Sequence, residues 1–220
     1  MHKILRDNGL SLVLFALFVA CWAGQAIAGW LVFNDEQLKH GHAAIGFFAY
    51  LATSHFLEAT AENWESEFLQ MAAYVVFAAY LFQRGSAESK DPDKLQDDVD
   101  VEPERGRVAP DAPWPVRRGG WILALYRYSL SIAFALLFLF SFVIHALSGW
   151  RLDNLERIQH GDEAQALSAF VTSSQFWFEA MQNWQSEFLS VLSIVVLSIF
   201  LRFKGSPESK PVAMANSETP

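Results

Sequence analysis

Residues 63–90 read NWESEFLQMAAYVVFAAYLFQRGSAESK, and residues 183–210 read NWQSEFLSVLSIVVLSIFLRFKGSPESK. The two stretches align without a gap and are identical at 14 of 28 positions. A self-similarity at one fixed spacing predicts a tandem duplication of one structural unit. The same offset of 120 residues pairs Gly29-Trp30 with Gly149-Trp150, His40-Gly41 with His160-Gly161, and Leu10-Ser11 with Leu130-Ser131.

Composition indicates a membrane protein. Hydrophobic residues make up 52% of the 220-residue chain, and aromatic residues make up 15%. Residues 9–34 and 128–150 contain no Asp, Glu, Lys or Arg. Each run exceeds the roughly 20 apolar residues that a helix needs to cross about 30 Å of hydrocarbon. The two runs therefore predict the first membrane span of each repeat.

The N-terminal run also has features of a cleavable secretory signal, because Lys3 and Arg6 precede it and Ala26-Ile27-Ala28 lies near its end. The duplication argues against cleavage. The run at 128–150 holds the matching place in the second repeat, where no signal peptide can stand. The single cysteine, Cys21, lies inside this run and excludes an intrachain disulfide.

The second span of each repeat begins among carboxylates. Only 16 uncharged residues separate Glu67 from Arg84, and only 14 separate Glu187 from Arg202. At 1.5 Å per residue these runs cover about 24 and 21 Å, less than the hydrocarbon layer. We therefore expect each span to begin at the Asn-Trp that opens the repeated stretch, and to carry Glu67 and Glu187 into the apolar edge of the membrane.

The predicted fold is an all-α integral membrane protein with four transmembrane helices in two parallel two-span repeats. An external amphipathic helix precedes each second span, since apolar residues recur there at helical spacing. The predicted parts are repeat 1 (1–86, with spans 10–33 and 62–84 and the amphipathic segment 45–61), a disordered acidic cytoplasmic linker (87–115), repeat 2 (116–206, with spans 121–150 and 182–204 and the amphipathic segment 164–181), and a loose cytoplasmic tail (207–220).

The positions of Lys and Arg predict the orientation. Thirteen of these residues fall on the side of the termini and the linker, and three fall on the other side. The positive-inside rule therefore places both termini in the cytoplasm, with the protein in the inner membrane of the cell. Two spans return the chain to its starting side, so the repeats share one orientation. The net charge of −8 comes largely from the linker, so it does not indicate binding to nucleic acid or to a membrane surface. The expected partner is the lipid bilayer around the spans, and no nucleic acid is expected.

Three segments carry a family resemblance: the NWESEFLQM run, the LFQRGSAESK ending and the DNGLSLVLF start. They resemble an uncharacterised bacterial family of small multi-span membrane proteins, a domain of unknown function. The resemblance covers both repeats. It implies a bacterial origin and the membrane class, and it implies no activity, no cofactor and no catalytic residue.

The second-span carboxylates define a candidate intramembrane polar site. A carboxylate at this depth costs several kcal/mol unless it is protonated or has a hydrogen-bond donor opposite it. One interpretation is that such pairs lock each helical hairpin. The other is that His145 and Glu187 form a titrating, proton-linked pair, with Gln25 as the non-titrating equivalent of His145 in the first repeat. The full predicted set is Glu67, Glu187, Gln25, His145, Asn63, Asn183, Gln70 and Ser190.

The repeated Gly-Ser-x-Glu-Ser-Lys ending is a second candidate. It is explained either as the exit of each span or as a contact site for a cytoplasmic partner, because loops often carry function. A membrane-protein partner and a homo-oligomer both remain open. The residues concerned are Gly85, Ser86, Glu88, Ser89 and Lys90, and Gly205, Ser206, Glu208, Ser209 and Lys210.

A weaker candidate is a metal site at His55, Glu58 and Glu62, whose side chains fit zinc and share one helix face. The second repeat lacks these residues, which favours a solvated face, so no metal or other cofactor is predicted. The histidines of the loops, His40, His42 and His160, either have no role or sense pH.

The sequence contains no nucleophile elbow, phosphate-binding glycine loop or paired-cysteine spacing. An enzyme is therefore not the leading hypothesis, although a lipid-modifying membrane enzyme stays an alternative. The two leading hypotheses are a small transport or permeation protein that uses the intramembrane carboxylates, and a membrane scaffold or accessory subunit.

Reporter fusions test the predicted orientation. Fusions at Asp97 and at the C-terminus should read cytoplasmic, and fusions at Gln37 and Gln159 should read external, because of the charge asymmetry. A cytoplasmic signal at Gln159 would contradict the parallel repeats.

Overall fold

The computed structural model describes residues 2–94, 102–103 and 108–220. Over these residues the chain forms eight helices and no strand, which confirms the predicted all-helical class. The helices are α1 (His2–Lys39), α2 (Phe47–Tyr50), α3 (Ser54–Tyr80), α4 (Trp114–Arg118), α5 (Gly120–Arg127), α6 (Ser129–Gln159), α7 (Leu167–Val171) and α8 (Ser174–Phe200). Both bounds of α3 and α8 are 120 residues apart, as are the ends of α1 and α6.

In the part of the chain that the structure describes, three helices are long and apolar enough to cross a membrane: Ile4–Lys39, Ser129–Gln159 and Ser174–Phe200. Large apolar side chains cover their outer surfaces, and Leu10, for example, is 75% exposed. Surfaces of this kind suit contact with lipid rather than water. Helix α3 is not in this set, because four glutamates and Gln70 lie in its first 17 residues.

The chain divides into two compact units. The first unit contains residues 1–61 and 144–171, and the second contains residues 62–143 and 172–220.

The core of the first unit is aromatic. Tyr50 is only 2% exposed and packs with Ala26 and Phe56. Its ring centroid lies 5.6 Å from the centroids of both Phe33 and Phe56. The ring fits because Gly29 leaves room: a Cβ at that position would lie 2.2 Å from the Tyr50 hydroxyl.

A hydrogen-bonded clamp holds the loop after α1. The Trp30 indole and the Asn34 amide both donate to the carbonyl of Ile45, at 2.8 and 3.0 Å. The Ile45 N–H donates in return to Asn34 Oδ1 at 2.8 Å. The loop after α6 has the same clamp, formed by Trp150, Asn154 and Gln165. The repeated Gly-Trp therefore belongs to a longer pattern, Gly-Trp-x-x-x-Asn.

The predicted amphipathic helices are not separate elements of the predicted length. Each is a short helix, α2 or α7, followed by a break and then by a helix that continues into the predicted second span. A hydroxyl at each break caps the helix that follows. Thr53 Oγ1 accepts a hydrogen bond from the N–H of Phe56, and Ser173 Oγ accepts one from the N–H of Phe176. A hydroxyl that bonds the backbone in this way starts a new helix.

Helices α3 and α8 end at Tyr80 and Phe200, four residues before the predicted ends. Gly85 and Gly205 were expected at the helix ends, but they lie in the following turns with φ of 83° and 89°.

The glycine-capped ending occurs instead at α1 and α6. Gly41 has φ of 74°, its N–H donates to Leu38, and the N–H of His42 donates to the carbonyl of Gln37. This is the Schellman pattern, and the loop at Gly161 repeats it.

The linker and the tail are more ordered than predicted where the structure describes them. Residues 87–94 form hydrogen-bonded turns, and Arg84 pairs with Asp93. The tail is not loose, because Thr219 accepts a hydrogen bond from the Gly85 N–H at 2.9 Å. The linker acids Asp97, Asp98, Asp100 and Glu104 lie outside the described residues.

The contact between Gly29 and Tyr50 gives a test of the first unit. Gly29→Ala should destabilise the protein by about 1–3 kcal/mol, the usual cost of overpacking. Gly24→Ala on the same helix is the matched control, because a Cβ there has nothing within 4 Å. Thermal unfolding in detergent measures both variants. In a double-mutant cycle, Tyr50→Phe should recover part of the loss, because it removes the clashing hydroxyl. The ring carbon that carried this hydroxyl is 3.2 Å from the added Cβ. Equal melting temperatures for the two glycine variants would contradict the packing.

Candidate functional site

In the second unit, α3 and α8 lie side by side and run parallel. The hydrogen bonds between them follow the same order along both helices. Glu62 bonds Asn183, Glu65 bonds Trp184, and Gln70 bonds Ser190. Residue numbers increase in the same direction on both helices, which is possible only for a parallel pair.

Glu65 is the most deeply placed carboxylate of this pair, with 0% exposure. Its Oε1 accepts a hydrogen bond from the Trp184 indole N–H at 3.0 Å. That indole is held by edge contacts with Phe138 and Trp177, at centroid distances of 6.2 and 6.1 Å. Glu62 accepts a hydrogen bond from the Asn183 amide at 2.5 Å. These two acids therefore have the donors that burial requires.

Gln70 links the two helices one level further along. It is 8% exposed, and its amide donates to Ser190 Oγ at 2.9 Å and to the carbonyl of Glu187 at 3.0 Å. Gln70 and Ser190 are equivalent residues of the two repeats, 120 positions apart. Contact between equivalent residues is what two repeats related by a local twofold axis would give at that axis.

Glu67 and Glu187 are also equivalent residues, and they lie close enough to interact electrostatically. Two like charges in an apolar region repel each other strongly, so a proton or a bound cation stabilises such a pair. This arrangement can therefore hold a proton or a cation.

The predicted partners of these carboxylates lie in the first unit. The Gln25 amide donates to Thr60 Oγ1 at 3.5 Å. His145 is fully buried, and its ring nitrogen lies within 4.8 Å of a carboxylate oxygen of Glu58. Gln25 and His145 fall in a different unit from Glu67 and Glu187, so the two predicted pairs stay predictions.

The three residues of the predicted metal site, His55, Glu58 and Glu62, contact other side chains. His55 Nδ1 forms a hydrogen bond of 3.0 Å with the Tyr50 hydroxyl. Burial raises the pKa of Tyr50, so that hydroxyl keeps its proton at neutral pH. Glu58 has His145 as a neighbour, and Glu62 bonds Asn183 within the second unit.

The Gly-Ser-x-Glu-Ser-Lys endings fold the same way in both repeats. Ser89 Oγ accepts from the N–H of Gln83, and Ser209 Oγ accepts from the N–H of Phe203, each at 2.8 Å. The first serine of each motif also accepts from the N–H of its glutamate, at 3.1 and 3.2 Å. The identity of the two motifs is thus explained by the fold of one loop.

Two motif residues point inward. Ser86 is 0% exposed and bonds Ser198 Oγ at 3.0 Å. Lys210 is 2% exposed, and its ammonium donates to the carbonyls of Ala215, Asn216 and Glu218 at 3.0 to 3.1 Å. The repeated identity therefore no longer argues for a partner contact.

Glu88 is the titratable group of this loop. It lines an apolar cavity of about 310 Å³ with Leu81 and Val195, and it accepts a hydrogen bond from the Tyr74 hydroxyl. Burial raises the pKa of Glu88, and the nearby Glu208 acts in the same direction, whereas the Tyr74 hydrogen bond opposes the rise.

The sequence reasoning missed Glu65, Trp184, Tyr74 and Lys210 in these roles. The asymmetry of the repeats was the available signal, since Glu65 and Tyr74 are replaced by Gln185 and Ile194 in the second repeat. A polar group present in one repeat alone indicates a contact that the other repeat does not make.

The raised pKa of Glu88 predicts a pH dependence of stability. A protonated Glu88 favours the folded state below its ordinary pKa, and this contribution is lost as pH rises through the raised folded value. As pH rises above the ordinary value of 4.5, the melting temperature should therefore fall by more in the wild type than in Glu88→Gln. Glu163→Gln, an exposed acid in a loop, is the control. Identical pH profiles for wild type and Glu88→Gln would contradict this account.

Comparison with known families gives one assignment. No curated protein and no solved structure matches the chain. A family model described as a domain of unknown function (DUF6766) matches residues 1–220, the whole chain. The predicted resemblance to an uncharacterised family is therefore confirmed, whereas the bacterial origin stays a prediction, and the chain belongs to the DUF6766 family.

Proposed function

We propose that this protein moves protons or small cations across a membrane, with Glu67 and Glu187 as the carboxylates that bind them. The observation that carries the proposal is that two equivalent carboxylates lie on the parallel helices α3 and α8, beside the bonds of Gln70 with Ser190 and with the Glu187 carbonyl, and that Glu67 acts electrostatically on Glu187. Ionisable residues inside membrane helices are costly, and they usually mark ion or proton pathways.

The proposal includes α3 as a fourth span. The helix has 27 residues and is about 40 Å long at 1.5 Å per residue, enough to cross the hydrocarbon layer. Its polar residues Glu62, Glu65 and Gln70 have hydrogen-bond partners on α8. A helix whose polar side chains are paired in this way can enter the membrane beside its partner.

The parallel course of α3 and α8 supports two repeats of the same orientation. The local twofold axis near Gln70 and Ser190 would then lie along the membrane normal. Together with the distribution of Lys and Arg, this arrangement supports a protein of the cell membrane whose termini and linker lie on the cytoplasmic side.

One observation favours a second candidate, a scaffold or accessory subunit that does not transport. Glu62, Glu65 and Gln70 are engaged in hydrogen bonds within the chain. A purely structural lock between two membrane helices would have the same bonds. The two candidates differ in what Glu67 and Glu187 do.

Flux in reconstituted vesicles separates the candidates. Purified full-length protein is placed in vesicles with a pH-sensitive dye inside, and uptake of protons is followed after an external acid step. Wild-type vesicles should acidify faster than protein-free vesicles, and Glu67→Gln and Glu187→Gln should remove the difference because they remove the charges. A parallel series with sodium and a sodium-sensitive dye tests the cation.

Glu163→Gln is the matched control, since it removes an exposed carboxylate outside the helices. Wild-type vesicles without flux of either ion, or flux that survives both substitutions, would contradict transport through these carboxylates. Melting temperatures of all variants show whether a lost flux comes from unfolding.

A further inference from the structure

The apolar cavity beside Glu88, of about 310 Å³, lies in the second unit between α3, α8 and the loop after α3. Phe77, Phe188 and Val191 are among its apolar walls, and Tyr74 and Glu88 are its ionisable lining residues. Among the described residues that line the cavity, none is Lys or Arg. An apolar concave site of this size with a few polar groups is the usual form of a binding site for a small molecule.

The cavity opens on the outer surface of the second unit. Its lining residues Phe77, Leu81 and Leu192 are all exposed, although their side chains are large and apolar. They lie on α3 and α8 or directly after α3. A hydrocarbon chain can therefore reach the cavity between the two helices.

One carboxylate oxygen of Glu88 has no hydrogen-bond donor. Oε2 accepts the hydrogen bond of the Tyr74 hydroxyl. Oε1 is buried and has no hydrogen-bond partner among the residues that the structure describes. A buried acceptor normally has a donor, because a hydrogen bond that is lost on burial and not replaced costs free energy. A ligand with N–H donors would supply the bond that this oxygen lacks.

The charge around Glu88 favours a cationic ligand. Burial raises the pKa of Glu88, and Glu208, the equivalent residue of the second repeat, acts in the same direction, so the two carboxyl groups lie close together. An ionised Glu208 offers acceptors and no donor. The lysines of the two loops have other contacts, since Lys90 lies over the Phe82 ring and Lys210 is enclosed by three carbonyls. A second negative group near Glu88 therefore adds to the attraction of a cation.

We propose that this cavity binds an amphiphilic amine, with the hydrocarbon chain between α3 and α8 and the ammonium group on Glu88. The ammonium donates to the carboxylate, and the apolar walls contact the chain. When Glu88 is protonated, binding releases that proton to water, because the ammonium and the proton compete for one carboxylate. A phospholipid amine fits less well, since its phosphate would lie beside Glu88 and Glu208. The site is independent of the transport proposed for Glu67 and Glu187.

Titration calorimetry on the full-length protein in a non-ionic detergent tests the site with octylammonium as the probe. Octanol is the matched compound, because it has the same chain without the charge. The wild type should bind octylammonium more tightly than octanol by about tenfold or more, the gain expected from a charged hydrogen bond. Glu88→Gln should remove this difference, and Glu163→Gln, which changes an exposed acid of the first unit, should keep it. Ala78→Phe, which fills the cavity from α3, should weaken the binding of both compounds.

The proton provides a readout that a purely structural role of Glu88 would not give. Titrations in two buffers of different ionisation enthalpy should show that octylammonium releases protons from the wild type and releases none from Glu88→Gln. The affinity for octylammonium should also rise as pH increases above 4.5, the ordinary pKa of this carboxyl group, since fewer protons then compete.

Four results would overturn the proposal. Equal affinity for octanol and octylammonium would leave only an apolar groove, and wild-type binding by Glu88→Gln would exclude this carboxylate. Displacement of octylammonium by an equal concentration of phosphatidylethanolamine would make the site one for a lipid headgroup. Absence of proton release from the wild type would exclude the competition, and this measurement needs no variant, so misfolding of a variant cannot explain it.

Discussion

The acidic N-terminal half of α3 is the constraint on which much of this fold depends. Glu58, Glu62, Glu65 and Glu67 lie within ten residues of one helix, and a carboxylate that leaves water without a donor costs several kcal/mol. The two repeats differ at most positions of these acids. Three of these positions are Phe178, Gln182 and Gln185 on α8, so the acids are concentrated on one helix while Asn183 and Trp184 of the other donate to them. The acids of α3 therefore depend on the hydrogen-bond donors of α8, which carries fewer acids itself.

The same divergence separates two kinds of polar contact. Glu65 and Gln70 are buried and bonded, so they fix the register of the two helices. Glu67 and Glu187, which remain acids in both repeats, are near enough for Glu67 to act electrostatically on Glu187. A proton or a cation would stabilise such a pair inside a membrane, and it would then link the ionisation of the pair to the packing around it. Hydrogen-bonded contacts hold the helices, and the acid pair is where a bound ion would change their interaction.

Much of the architecture follows from sequence, because long uncharged runs and a fixed period are local signals. The helical class and the 120-residue offset were readable in this way, whereas α1 and α6 run to Lys39 and Gln159, beyond the predicted span ends at 33 and 150. The helix break before Ser54 was not predicted, although the hydroxyl of Thr53 was a visible cap signal. The contacts of Glu65 and Gln70 could not be predicted, because sequence order relates residues within one hairpin, whereas these residues bond across repeats. The motif that contains Ser86 and Ser89 was recognised as a repeat, but the turn that it forms was not predicted, because the hydrogen bonds of the turn depend on loop geometry.

The carbonyl cage around Lys210 bears on the order of synthesis. In the first repeat, the ammonium of Lys90 lies 5.7 Å from the centre of the Phe82 ring, a contact between residues that leave the ribosome almost together. Lys210 instead needs the carbonyls of Ala215, Asn216 and Glu218. The Lys90 contact can therefore form while the second repeat is still being translated, whereas the bonds of Gly85 with Thr219 and of Ser86 with Ser198 wait for that repeat. The Lys210 contacts form only when residue 218 is present, so a chain that lacks these last residues would leave the ammonium without two of its three carbonyl acceptors.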